Sequence, residues 1–124
     1  MTMKYTKDHE WISVESDIAT IGITQHAADA LGELVYVELP KVGKVFNKGD
    51  AIVVVESSKS ASDVYTPVAG EVISVNDSLI NNPENVNNDT YKNGWLIKIK
   101  ISNTSGLDSA MSEVEYKKYL SENN

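Results

Sequence analysis

The chain has no cysteine among its 124 residues. No disulfide staples it, and neither a thiol nucleophile nor a thiolate metal site can form. Histidine is nearly as scarce, with only His9 and His26. A metal site would need both of them together with carboxylates, and their spacing suggests no such cluster. No Gly-x-Ser-x-Gly elbow displays a nucleophile, and no glycine-rich phosphate fingerprint or Gly-Lys-Ser/Thr ending occurs. Carboxylates are plentiful, but nothing isolates a pair with opposed environments. Met1 to Asp8 lacks the apolar region of a secretory signal, and no apolar run approaches the ~20 residues that span a bilayer. Positive charge is also short. Eleven basic residues face eighteen acidic ones, for a net charge of −7. Such a chain is repelled by phosphate backbones and anionic membranes and suits docking against basic patches of partners. These absences argue against an independent enzyme, a metal site, a nucleic-acid binder and a membrane protein. They leave a cytoplasmic, monomeric carrier or binding module as the expectation.

What is present indicates a small β protein. Apolar residues make up 41% and charged residues 23%, which places the chain among globular folds. Residues 1–124 have room for one domain around one core. Trp11–Val14 and Ile18–Gly22 read as strands joined by a turn at Glu15-Ser16-Asp17. Thr24 is a suitable N-cap for a helix over Gln25–Leu31, and Gly32 for its left-handed end. Leu34–Leu39 reads as a strand with Val35, Val37 and Leu39 on one face. Ala51–Val55 is apolar on both faces and so central. Glu71–Val75 follows as a strand, and Pro67–Gly70 is a break before it. Residues 76–93 carry seven asparagines and read as a surface loop with at most one helical turn. Asn93-Gly94 signals a turn before a strand with Trp95, Ile97, Ile99 and Ile101 on one face. Ser112 and Glu115 fit a capping box for a helix to Leu120, with Val114, Tyr116, Tyr119 and Leu120 as its contact face and Lys117 and Lys118 near its negative end. Residues 121–124 are expected to fray. Six or more short strands at this spacing predict a β-sandwich or flattened barrel. Val42-Gly43-Lys44-Val45 and Ala69-Gly70-Glu71-Val72 are similar entries on either side of residue 59 and hint at two related halves.

Between those halves, Glu56-Ser57-Ser58-Lys59-Ser60-Ala61-Ser62-Asp63 reads as a tight turn between two strands. Its residues are small, so the Lys59 ammonium projects with little cover. A lysine so presented is an ordinary solvated side chain or the anchor of a prosthetic group on a long stem.

His9-Glu10-Trp11, Ala19–Thr24, Leu31-Gly32, Val37–Pro40, Gly43, Glu56-Ser57, Lys59, Ser62-Asp63, Pro67, Gly70–Val72, Asn76, Pro83, Gly94–Leu96 and Tyr116 resemble, in order and spacing, the glycine cleavage system H-protein family. The resemblance runs over most of the chain. It implies a mostly β barrel-sandwich hybrid of the lipoyl/biotinyl type, with short helices and a C-terminal helix. It also implies lipoic acid in amide linkage to Lys59; biotin carriers have methionine on both sides of the lysine, where this chain has Ser58 and Ser60. Glu56 and Gly70 resemble features that lipoylating enzymes read. Glu10 and Asp63 match acidic positions of a cleft that shelters the arm's cationic cargo. Some relatives place a histidine where this chain has Ala30. The implied partners are glycine decarboxylase, aminomethyltransferase, dihydrolipoyl dehydrogenase and the lipoylating enzyme. The expected role is a non-enzymatic shuttle that carries the aminomethyl group of glycine between active sites. Two alternatives are a relay donating lipoyl groups to 2-oxoacid dehydrogenase subunits and an unmodified β-domain that binds partners.

Overall fold

The computed structural model describes residues 2–122. Nine strands and four helices run in the order β1 (Thr2–Tyr5), β2 (Glu10–Glu15), β3 (Ile18–Ile23), α1 (Gln25–Leu31), β4 (Leu34–Glu38), β5 (Val45–Phe46), β6 (Ala51–Ser57), β7 (Ala61–Tyr65), β8 (Ala69–Val75), α2 (Ser78–Asn81), α3 (Asn85–Asp89), β9 (Ile97–Asn103) and α4 (Glu113–Glu122). Two antiparallel sheets result. One has six strands, in the order β1-β2-β3-β9-β8-β5, and the other three, in the order β4-β6-β7. The two enclose one main core that includes Ile12, Ile21, Val37, Val55, Val72, Ile97 and Ile99. The architecture is the mostly β, flattened barrel-sandwich that the sequence predicts, with a helix at its C-terminal end. None of the described helices is long and apolar enough to cross a membrane.

A smaller aromatic cluster of Tyr5, Trp11 and Tyr116 pins β1, β2 and α4 together. Tyr5 and Tyr116 stack with ring centroids 5.1 Å apart. Trp11 lies over its cross-strand neighbour Gly22, where a Cβ would come within 2.5 Å of the indole. A side chain at 22 would therefore displace the ring from the sheet.

Several local expectations hold in detail. Ser16 sits in the β2–β3 turn at φ 57°. Thr24 caps α1 by accepting from the Ala27 amide, and Gly32 closes it at φ 86°. Glu115 accepts from the Ser112 amide at 2.8 Å while Ser112 Oγ accepts from the Glu115 amide at 3.2 Å, completing the capping box. The two similar segments around residues 42–45 and 69–72 lie side by side. Val45 pairs with Glu71 and Phe46 with Gly70, antiparallel. The Gly43 amide donates to Val72 O and the Val72 amide to Lys44 O.

Other expectations are corrected. Val35 does not share a face with Val37. It is 61% exposed while Val37 is buried, because the β4–β6 register slips between Leu34 and Tyr36. Such a bulge turns the strand and undoes simple alternation. Residues 76–93 are not one open loop. They fold as α2 and α3, whose Leu79 and Val86 are fully buried. Trp95 precedes β9 and packs on the aromatic cluster rather than with Ile97. Val114 is 78% exposed and faces away from the α4 contact. Lys117 and Lys118 sit mid-helix, since α4 continues to Glu122. Ser121 and Glu122 are helical, and the remaining residues of the predicted frayed end lie outside the described residues. Gly70 is not in a turn. It lies within β8, where a Cβ would fall 2.2 Å from Lys100 O and 2.4 Å from Ile99 Cγ2 of β9. Strands β1 and β5 have no signal in the sequence strong enough to anticipate.

Candidate functional site

Lys59 stands at the tip of the β6–β7 hairpin. Glu56 and Ala61 are the last paired residues. The Ser57 amide donates to Ser60 O at 2.8 Å and closes the turn. Ser57 Oγ accepts from the Ser60 amide at 3.2 Å and, more weakly, from the Lys59 amide at 3.4 Å. Small side chains thus satisfy the backbone locally and leave the tip without bulk. Residues 58 to 63 are all exposed. Among the described residues Lys59 forms no ion pair. Its stem lies along the end of α1, with Cε 3.1 Å and Nζ 3.6 Å from the point a Gly32 Cβ would occupy. The amine is therefore open to acylation.

One residue before Gly32, Leu31 marks the edge of a cleft of about 270 Å³. Its other walls include Glu10, His26, Ala30, Val55 and Asp63, so the two predicted carboxyl groups do meet in one place. Strand alternation explains the placement of Glu10. As β2 starts, Trp11 turns into the aromatic cluster and Glu10 onto the opposite side, where it lines both this cleft and a neighbouring hollow. Ala30 also lines the cleft and leaves room that a larger side chain would fill.

The two carboxyl groups differ. Asp63 is exposed on β7. Glu10 is only 3% exposed. The Thr6 hydroxyl donates to Glu10 Oε1 at 2.6 Å, and the Tyr65 amide donates to Oε2 at 3.4 Å. Burial pushes the Glu10 carboxyl up to about 7, against the pull of those two hydrogen bonds. A carboxyl poised there takes or gives a proton near neutrality, and a cation beside it would favour the ionised form. Behind Glu10 a second hollow of about 300 Å³ is lined by Lys48 and Tyr65 among others.

Glu56 is half-buried at the base of the hairpin, in register with Tyr36 of β4. Gly70 belongs to the other sheet and is buried. The structure does not bring it to the hairpin surface.

One element of the site escapes sequence reasoning. His9 stands beside Glu10 at φ 69° among the residues that line the cleft, and its Nδ1 lies 2.7 Å from Tyr116 Oη. Tyr116 Oη lies 2.8 Å from Thr24 Oγ1. His26 packs against the same imidazole with ring centroids 4.7 Å apart. His9 and Tyr116 are 107 positions apart, and no spacing rule links them.

Comparison with known proteins shows the family and the fold. The profile of the glycine cleavage H-protein family matches residues 3–123. The glycine cleavage system H protein of Caulobacter vibrioides is 51% identical over 118 residues, covering 95% of this chain and 98% of that relative. The one from Phenylobacterium zucineum is 48% identical over 118 residues, with the same coverage. The crystal structure of the glycine cleavage system H protein from Mycobacterium marinum superposes with a TM-score of 0.88 at 33% identity and covers 96% of each chain.

Proposed function

The chain belongs to the glycine cleavage H-protein family, and from that premise we propose that Lys59 carries lipoic acid in amide linkage and that the cleft of Glu10 and Asp63 is the resting place of the loaded arm. Its role is that of the lipoyl-carrying shuttle of the glycine cleavage system. The observation that carries the assignment of Lys59 is an exposed amine at a hairpin tip, free of ion pairs among the described residues, whose stem leads past Gly32 to a cleft with two carboxyl groups. Lys59 would hold the lipoyl group, which would supply a disulfide/dithiol pair as acceptor for the aminomethyl unit of glycine.

The chain's own residues bind and protect rather than make bonds. Glu10 offers a carboxyl largely screened from water, aimed by the Thr6 hydroxyl and the Tyr65 amide. A cationic amine beside it favours the ionised form and is held by a charge-assisted hydrogen bond. Asp63, wet and at the mouth, adds attraction that salt screens. Retention of the amine accordingly strengthens as pH rises through about 7 and Glu10 ionises. Tethering adds effective concentration, because one arm serves several active sites without diffusing free. Those sites belong to glycine decarboxylase, aminomethyltransferase and dihydrolipoyl dehydrogenase. A lipoylating enzyme grips the hairpin, with Glu56 at its base as a contact. Gly70 supports lipoylation through the fold, as the only residue type that lets β8 approach β9 at that point. One folded unit spanning the chain performs this work as a monomer.

The test is the mass of the peptide spanning Lys59, taken from protein made in the native host. A lipoyl increment that disappears in Lys59→Arg is the expected result. A native chain left unmodified at Lys59 overturns the assignment and favours a plain interaction domain.

A further inference from the structure

His9, Tyr116 and Thr24 form a hydrogen-bonded chain whose directions follow from the buried hydrogens. The Ala27 amide donates to Thr24 Oγ1 at 3.3 Å as the cap of α1, which uses Thr24 as an acceptor. Thr24 is fully buried, so its own hydroxyl proton needs an acceptor inside the protein. Among the described residues, its other hydrogen-bond partner is Tyr116 Oη, at 2.8 Å. Thr24 therefore donates to Tyr116, and Tyr116 donates to His9 Nδ1 at 2.7 Å. The ring's remaining proton then belongs on Nε2. The reverse order would leave the Thr24 hydroxyl without an acceptor in a dry site, the costly arrangement for a polar group.

The backbone holds the same residues together. The Thr24 amide donates to His9 O at 2.9 Å, and the His9 amide donates to Thr6 O at 3.1 Å. These bonds fix His9 in the left-handed region, which costs a residue with a Cβ of order 1 kcal/mol and persists where surroundings over-determine it. His9 is one of the residues that line the cleft with Glu10 and Asp63. Nε2 has no protein partner among the described residues.

We propose that Tyr116 and Thr24 are positioning residues that hold His9 as the neutral Nε2–H tautomer, and that this N–H is a fixed donor in the cleft for a thiol or thiolate sulfur of the arm. The inference rests on the arm assignment made above for the identity of its acceptor, but not for the tautomer. It completes the cleft chemically. Glu10 and Asp63 accept from a cationic amine, and His9 supplies the opposite function, a donor for the softer sulfur. The groups facing His9 are His26 from α1, Tyr116 and Tyr119 from α4, Asp8 and Glu10 beside it, and Asp63 across the cleft. Burial, reinforced by His26, holds His9 below the ordinary histidine range, while Asp8 pulls the other way.

Nitrogen-15 resonance of the histidine rings tests the tautomer on the full chain, without lipoate. The expected spectrum at pH 7 shows His9 protonated on Nε2, with a titration midpoint below that of free histidine. A proton on Nδ1, or an ordinary midpoint, overturns the proposal in the wild-type protein, whatever happens to any variant. Tyr116→Phe should mix the tautomers and raise the midpoint, and Thr24→Ser should preserve both. An unchanged His9 in Tyr116→Phe denies Tyr116 its positioning role. In the lipoylated chain, Tyr116→Phe should release the amine about fivefold faster, as loss of one neutral hydrogen bond implies. A shifted tautomer with unchanged release overturns the sulfur donor alone. If Lys59 were not the attachment point, its peptide would carry no lipoyl mass while the resonance results stood.

Discussion

The hairpin tip and the cleft mouth are built on opposite plans. At the tip, a few local hydrogen bonds to Ser57 hold a turn whose residues 58 to 63 are all exposed. The Lys59 stem passes the Gly32 end of α1. At the mouth, Glu10 is tied to Thr6 and Tyr65, and His9 to Thr6, Thr24 and Tyr116. A group passed between partner active sites has to enter each of them, so a crowded anchor would obstruct delivery. A resting place has to exclude water and orient a small cation, so it needs fixed, buried polar groups. On the proposed assignment, delivery belongs to the hairpin tip and protection to the cleft, and the two are joined by the Lys59 stem at the end of α1 and by Asp63, which the hairpin lends to the cleft wall.

Lys59→Arg is the strongest test of the division. It should abolish lipoylation completely while the fold and the cleft remain, checked by intact mass and circular dichroism. Gly70→Ala should break the scaffold rather than the tip. Its methyl would collide with the β9 backbone at Lys100 O and with Ile99, so about 3 kcal/mol of stability should be lost in urea unfolding. Any fall in lipoylation of this variant should track its unfolded fraction, and full lipoylation failure in a stably folded Gly70→Ala chain would show that the tip does not act alone. Glu10 gives a pH signature of the mouth. Its carboxyl stands near 7 in the folded chain and near 4.5 when exposed. The folded state thus keeps a proton that the unfolded state has lost between those values. Stability should fall as pH rises from about 4.5 to about 7, by at most about 3 kcal/mol, and Glu10→Gln should flatten that decline. Combined with Asp63→Asn, it should also speed loss of the amine roughly tenfold with lipoylation retained, the scale of one charge-assisted hydrogen bond. Unchanged retention would remove the carboxyl groups from the resting site. The smallest effect belongs to the tip. Ser57→Ala should cost about 0.5 kcal/mol and leave lipoylation intact, since its Oγ bonds are long and exposed.

Local signals were legible in the sequence wherever one residue satisfies a backbone need by itself. Thr24, Gly32, Ser112 with Glu115 and the serine-rich turn at Lys59 all sit where capping and turn chemistry put them. Signals that depend on a partner strand were not legible. The bulge that exposes Val35 is a property of the β4–β6 register. Gly70 looks like a turn residue until β9 is packed against it. The asparagine-rich stretch hides the fully buried Leu79 and Val86 among polar neighbours. Asn87 there is structural, its side chain holding Ala28 O, Gly32 O and the Leu34 amide. The site divides in the same way. Lys59, Glu10 and Asp63 could be named from the family resemblance; Lys59 is exposed at the hairpin tip, and Glu10 and Asp63 line one cleft. The imidazole chain through Tyr116 could not, because it joins the two ends of the sequence.

The bed of the Lys59 stem has one more consequence. A short helix ends at Gly32, and its carbonyl end carries partial negative charge, which favours an ammonium nearby. Acylation removes that ammonium and takes the formal net charge from −7 to −8. If Lys59 is the attachment point, the attraction between the ammonium and the helix end would vanish in the reaction that completes the arm, and modification would unfasten its own latch.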